Sequence, residues 1–177
     1  VQRPEVPGGT RFRYTAPKFI TFQTPELQAL LATIERLVFL VPDGGSIQMP
    51  TELEKAAIRV GGGVYRLGIG GLHSSEQTIS HFSDNEYVLV DRDVRSYYPA
   101  IIINNNIEPP HMTGVFLPKY KGHVDARIAA KAIGNTVVAD MGKILANGAG
   151  GKLNSKWSKF YYPQGFIHMT LTGQLSL

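Results

Sequence analysis

The stretch YVLVDRDVRSYYPAIII, residues 87–103, constrains this chain more than any other. An apolar, strand-forming run carries two aspartates, Asp91 and Asp93, then passes through Ser-Tyr-Tyr-Pro into a second apolar run. In a strand, residues i and i+2 face the same side, so both carboxylates project together. Like charges that close repel, and burial deepens the conflict. A divalent cation would resolve it, because Mg²⁺ takes oxygen ligands and bridges carboxylates to phosphates. Otherwise the strand ends there, and the acids are solvated or paired with Arg92 or Arg95. Spacing alone leaves both readings open.

At 177 residues, 43% hydrophobic and 18% charged, the chain suits one domain with a sizeable core and is not disordered throughout. No apolar run approaches the ~20 residues that cross a bilayer, and VQRPEVPGGTRFRY does not read as a signal peptide. With no cysteine there are no disulfides or thiolate metal sites, which fits a reducing compartment. Charge is unevenly placed. Residues 1–110 hold 10 Lys+Arg against 12 Asp+Glu, whereas residues 111–177 hold 8 against 2. A basic carboxyl-terminal third suits a polyanion such as nucleic acid or a nucleotide, or else it is a solvated helix surface. Val1 is not an initiator residue, VQRPEVPGG reads as a linker, and FIHMTLTGQLSL ends inside an apolar, helix-compatible run. The expectation is a segment of a larger protein.

Residues 10–24 alternate polar with aromatic side chains and favour extended structure. TPELQALLATIERL predicts a helix capped by Thr24, with Pro25 in its first turn, Glu26 at its positive end and an apolar face of Leu27, Leu30, Leu31 and Ile34. Asp43-Gly44 marks a tight turn. From Lys55 to Val94 the pattern predicts successive strands, with hairpin turns at Ser74–Glu76 and Ser83–Asn85. Turn chemistry accounts for Gly61, Gly62 and Gly63; Gly70 and Gly71 suit either a turn or the close approach of a ligand. AIIINNN reads as a helix. Residues 115–151 read as two helices broken at Gly134-Asn135 and ended by Asn147 and the glycines. The first would line up Val124, Ile128 and Ala132; the second would pack Val138, Met141, Ile144 and Leu145. KWSKFYYPQGFIHMTLTG returns to β-like alternation, within which Trp157, Phe160, Tyr161 and Tyr162 either pack or stack on bases. His73 and His81 would face each other across a hairpin, too few ligands for zinc. His111, His123 and His168 are expected in ordinary polar roles.

DVRSYYP (Asp93–Pro99) resembles the D-x-x-S-L-Y-P motif that carries a catalytic aspartate in family B DNA polymerases. KILANGAGG (Lys143–Gly151) is similar to that family's K-x-x-x-N-S-x-Y-G, matching at Lys143, Asn147 and Gly151. RIAAK (Arg127–Lys131) matches the pair of cations on the preceding fingers helix, and spacing i, i+4 puts both on one face. GIGGLHSSE resembles the Y-x-G-G segment at Gly70 and Gly71, with the tyrosine position on Gly68. GKLNSKWSKFYYP, beginning at Gly151 and including Lys152, looks like the tract that follows the lysine motif in phage-type members.

The resemblance covers residues 10–177 and is most specific over 60–177. It implies an α+β fold: an incomplete palm β-sheet with packed helices and a two-helix fingers insertion. The segments would be a linker and helix region (1–59), the first part of the palm (60–118), the fingers hairpin (119–150) and a continuing, truncated palm (151–177). The implied activity is templated transfer of a nucleotide from a dNTP to a primer 3′-OH, with Mg²⁺ (or Mn²⁺) as cofactor and DNA template-primer, dNTP and the rest of the parent chain as partners. By the same resemblance the location is the cytoplasm of a phage-infected or prophage-bearing bacterium, with no membrane partner. Asp93 would be catalytic and would hold metal together with the Val94 carbonyl. Amides near Ser96 and Tyr97 would bind phosphate oxygens, and Tyr98 would lie beneath the sugar and exclude a ribose 2′-OH. Arg127, Lys131 and Lys143 would neutralise the triphosphate, and Asn147 would sit near the nascent base pair. Gly70, Gly71 and Lys152 would meet DNA, and Asp91 would only support Asp93.

The departures matter. The tyrosine of the lysine motif falls on Gly150 and its serine on Gly148, while Tyr97 and Ala100 replace leucine and serine in the first motif. The Y-x-D-T-D hairpin that supplies a second catalytic carboxylate has no counterpart here. The isolated chain is therefore expected to bind Mg²⁺ weakly and not to extend primers. The rival reading is a non-catalytic nucleic-acid-binding or protein-interaction module with a polymerase-like fold, and a metal-dependent nuclease stands third.

Overall fold

Helix α1, Pro25–Arg36, starts as its sequence dictates. The Leu27 N–H donates to Thr24 Oγ1 at 3.4 Å, Pro25 occupies the first turn, and acidic Glu26 and basic Arg36 stand at the favourable ends of the helix dipole. The computed structural model describes residues 2–60, 62–78 and 80–177; Val1, Gly61 in the glycine run and Ile79 in the expected strand region lie outside them. Ile34 is fully buried, with Leu30 and Leu31 packed beside it. Of the extended stretch expected over 10–24, strand β1, Arg11–Arg13, forms and pairs antiparallel with β2, Val38–Leu40. Its alternation turns Phe12 inward to stack on Phe39 at 5.7 Å, while both arginines face water. The Asp43-Gly44 turn closes with the Gly45 N–H on the Pro42 carbonyl at 2.8 Å, and Gly45 takes φ +86°. Helix α2, Thr51–Glu54, is a single turn that buries Leu53.

A second antiparallel sheet has the order β3 (Ile58–Val60), β4 (Gly63–Leu67), β5 (Leu72–Ser74). Its turns differ from expectation. The second hairpin closes at Gly68–Gly71, where the Gly68 N–H donates to the Gly71 carbonyl at 2.9 Å. Ser74 still belongs to β5, and the Ser75 N–H still donates to the Val64 carbonyl at 2.7 Å. Glycine at position 68 permits the close turn, since a Cβ on Gly68 would stand 2.9 Å from the Gly71 carbonyl oxygen.

The strand expected at residues 87–94 is not formed. The Ser83–Asn85 turn exists, with the Glu86 and Tyr87 N–H groups both donating to Asp84 Oδ1 at 2.8 Å, but no strand flanks it. Tyr87, Val88, Leu89, Val90 and Val94 are all exposed. Apolar alternation makes a segment competent for a sheet, but its backbone groups need a ladder partner, and neither sheet pairs with it.

The carboxyl-terminal half is helical: α3 (Tyr97–Asn104), a 3₁₀ turn (Pro110–Met112), α4 (Phe116–Ala132), α5 (Thr136–Lys152) and α6 (Pro163–Leu175). The expected break between α4 and α5 falls at Gly134, with φ +74°, and the Asn135 side chain caps α5 by accepting from the Val138 N–H at 3.1 Å. The two packing faces need correction. Helix α4 buries Phe116, Tyr120 and Val124, leaving Ile128 half-buried and Ala132 exposed. Helix α5 buries Ala139, Ala146 and Gly150 and exposes Val138, Met141, Ile144 and Leu145. Small residues let the helices approach closely: a Cβ on Gly142 would stand 2.8 Å from Arg127 Cβ. The helix also continues through Asn147 and the glycines to Lys152 rather than ending there.

Residues 163–175 are helical, not β-like. Pro163 opens α6, and almost every residue after it is buried, so no polar stripe betrays the helical period. Thr170 and Gln174 on it are satisfied: Thr170 Oγ1 donates to the Phe166 carbonyl at 3.0 Å, and Gln174 accepts from the Gly68 N–H at 3.0 Å. Tyr14 OH meets Thr172 Oγ1 at 3.0 Å, and burial pushes its pKa up to about 12. Helix α6 thus ties the amino-terminal strands to α3 and α5 in one core that includes Phe39, Ile102, Ile167 and Leu171. The class is α+β, helices with two small antiparallel sheets.

Candidate functional site

Ser96 turns the chain from the irregular segment into α3 with φ 50° and ψ 48°, a left-handed conformation that costs a non-glycine residue about 1–2 kcal/mol. Arg127 holds it there, donating from Nη1 to Ser96 Oγ at 2.6 Å. Because that hydroxyl does not cap α3, the first amides of the helix have no side-chain partner. Arg127 Nε is buried and also lacks an acceptor. Beside it Arg95, Arg127, Ile128 and Lys131 line a hollow of about 270 Å³. Among the described residues the ion pair that forms is Lys121–Asp125, so these three cations have no carboxylate within salt-bridge reach.

On the other side of Ser96, Tyr98 OH donates to the Gly70 carbonyl at 3.0 Å and stands 3.5 Å from where a Gly71 Cβ would be. Its ring lies against Gly173, where a Cβ would come within 2.8 Å of Tyr98 Cε1. Tyr97 OH donates to the Gly173 carbonyl. Burial raises both phenol pKa values; the Ser176 hydroxyl works against it at Tyr97, while the Tyr97 charge adds to it at Tyr98. Both rings therefore act as neutral donors near neutral pH. Tyr98, Gly70 and Asn147 line one cleft of about 430 Å³ with Ser46, Asn154 and Thr170.

Of the residues expected at a site, these contacts gather Gly70, Gly71, Ser96, Tyr98, Arg127, Lys131 and Asn147 around the start of α3. Tyr97 faces α6. Lys143 is exposed on α5, and Lys152 lines a separate apolar groove with Lys119, His123 and Phe160. Asp93, Val94 and Asp91 are exposed in the segment without a strand. Among the described residues, no three His, Asp or Glu side chains come together as a metal site. One aspartate and a neighbouring carbonyl do not fix a pair of divalent ions, so the residues present do not build that centre.

The remaining expectations divide. The hairpin that would bring His73 to His81 is not formed, and the His73 ring instead covers Gly68. His111 Nε2 meets the Lys159 carbonyl at 2.7 Å. His168 lies edge-on to Tyr14, its Nε2 buried without a partner and its pKa lowered by burial. Trp157 is 74% exposed, with Arg3 and Lys156 over its ring, rather than packed in a β segment. Tyr161 is buried, its hydroxyl donating to the Gly45 carbonyl, and Phe160 packs on Phe116.

Sequence reasoning missed Arg95 as a member of the hollow, although it adjoins Ser96. It also missed Asn154, whose amide brackets Ile47, accepting from its N–H at 2.8 Å and donating to its carbonyl at 3.1 Å. No local signal marks a pair so distant in the chain. Glu108 was passed over as well: desolvation raises its pKa, but N–H groups from Gly114 to Leu117 outweigh it and hold the carboxyl low at the start of α4.

No helix among the described residues is long and apolar enough to cross a membrane. Comparison with protein families, curated proteins and solved structures finds no match to this chain.

Proposed function

We propose that this chain is part of the catalytic domain of a family B DNA polymerase of phage type, comprising palm segments with the fingers hairpin α4–α5, and that its own share of the reaction is to hold the incoming dNTP. What supports this reading is a single pattern. Segments that resemble four separate motifs of that family meet at the turn Ser96–Tyr98, through the Arg127–Ser96 bond, the Tyr98–Gly70 bond and the cleft shared by Tyr98 and Asn147.

Arg127 and Lys131 offer charge to the triphosphate, and the uncapped amides of α3 offer donors to its oxygens. Tyr98, fixed by Gly70 and Gly173, presents a rigid ring where a sugar would lie, so it selects against a 2′-OH by bulk. Asn147 faces the same cleft. These are binding and positioning roles, and they raise the effective concentration of substrate at the reacting centre. Asp93 supplies one carboxylate to that centre, which is completed by groups outside these residues.

A second reading, a non-catalytic nucleic-acid or protein module with a polymerase-like fold, draws on the exposure of Asp91 and Asp93. The deciding experiment is primer extension by the parent protein. Asp93→Asn should abolish nucleotide incorporation and leave template binding intact. Near-normal incorporation by that variant would sink the polymerase reading and leave the second.

A further inference from the structure

We propose that Arg95 completes a three-cation groove with Arg127 and Lys131 that binds an extended polyphosphate, making the site selective for a nucleoside triphosphate over a monophosphate. The inference rests on the nucleotide-site reading above and adds a residue to it. Arg95 comes from the segment that precedes α3, whereas Arg127 and Lys131 come from α4, so the hollow they share has cations on two walls. Three positive charges without a carboxylate in salt-bridge reach repel one another and attract an anion.

The geometry favours a chain of phosphates over a single one. Arg127 and Lys131 are one turn apart, about 6 Å along the helix axis, which spans successive phosphate groups rather than two oxygens of one. Arg127 is held in place by its bond to Ser96 Oγ and by the close backbone of Gly142. Its guanidinium thus lies beside the hollow with one Nη committed to Ser96 and its charge unpaired. Arg95 adds a planar fork suited to bidentate contact, and Lys131 adds a point charge. A monophosphate offers these cations one phosphorus centre, whereas a triphosphate offers three.

Calorimetric titration of the 177-residue chain with inorganic tripolyphosphate, dATP, dAMP and a short single-stranded oligonucleotide tests this, at low salt and without divalent metal. Wild type should bind tripolyphosphate and dATP well above dAMP. Arg95→Ala should weaken tripolyphosphate and dATP about tenfold, the loss of one charge-assisted contact, and leave dAMP within about twofold. Arg95→Lys should recover part of the loss. Arg95 is exposed in an irregular segment, so the variant keeps the fold, as circular dichroism will verify. Equal binding by wild type and Arg95→Ala, with Arg127→Ala impaired, overturns the role of Arg95 and leaves the nucleotide site standing. No binding of tripolyphosphate or dATP by wild type overturns both. An oligonucleotide that binds as well as tripolyphosphate and is equally weakened by Arg95→Ala overturns the proposal in favour of a DNA-backbone groove.

Discussion

Asp93, Val94 and Arg95 are exposed and belong to no strand, whereas Ser96, Tyr97 and Tyr98, next in the chain, are partly buried and each tied to a distant segment by a hydrogen bond. The two halves of one seven-residue motif therefore differ in what they need from the rest of the molecule. The Ser96–Tyr98 half finds its partners within this chain, on α4, on the β4–β5 turn and on α6. Around the Asp93 half the described residues provide no pairing strand and no cluster of metal-ligating side chains. On the reading proposed above, nucleotide binding and metal-dependent chemistry are separable, since the groups assigned to the first come together here and those required for the second do not.

The contrast is broken most directly by core deletion. Ile102→Ala, at a fully buried position on α3, should cost about 2–5 kcal/mol. Val90→Ala, in the segment just before the motif, should change stability by less than about 0.5 kcal/mol. Urea midpoints for the two variants measure the difference, and similar losses would show that residues 87–94 are packed in solution. Gly173→Val comes next. Its added carbons enter space held by Tyr98 and Ile101, so an overpacking cost of about 1–3 kcal/mol is expected. The same urea titration reads it, and a neutral result would mean that the Tyr98 ring is free to move.

The smallest effect concerns pH. His168 has a folded-state pKa below its ordinary value because burial disfavours the charged form. The unfolded chain therefore takes up the proton first, and stability present above about pH 6.5 is lost as the pH falls through that value toward the folded pKa. Melting temperatures of wild type should drop on acidification more than those of His168→Phe. Parallel curves would show that His168 titrates as it does in the unfolded chain.

How far the sequence revealed all this depended on whether the deciding physics was local. Helix α1 was legible because Thr24, Pro25 and Glu26 act within one turn, and the α4–α5 break because Gly134 and Asn135 end one helix and cap the next. Helix α6 was not, since burial on every face erases the period that identifies a helix. The packing face of α5 was not legible, because closeness to α4 selects alanine and glycine and leaves the large apolar side chains outside. Residues 87–94 show the reverse case, a clear strand pattern without a partner. Motif resemblance singled out Ser96, Tyr98, Arg127 and Asn147, which lie together around the start of α3, and also Asp93, Lys143 and Lys152, which do not join them. Arg95 and Asn154 become visible only through tertiary placement.

The central claim of the proposal is that this chain holds a nucleotide without help from Asp93. The dissociation constant of dATP without divalent metal, compared among wild type, Arg127→Ala and Asp93→Asn, tests it most directly. Arg127→Ala should weaken binding about tenfold to a hundredfold, since it removes a partly buried charged donor. Asp93→Asn should alter binding by less than about twofold, as expected for an exposed side chain outside the groove. Loss of binding in Asp93→Asn with retention in Arg127→Ala would contradict the account.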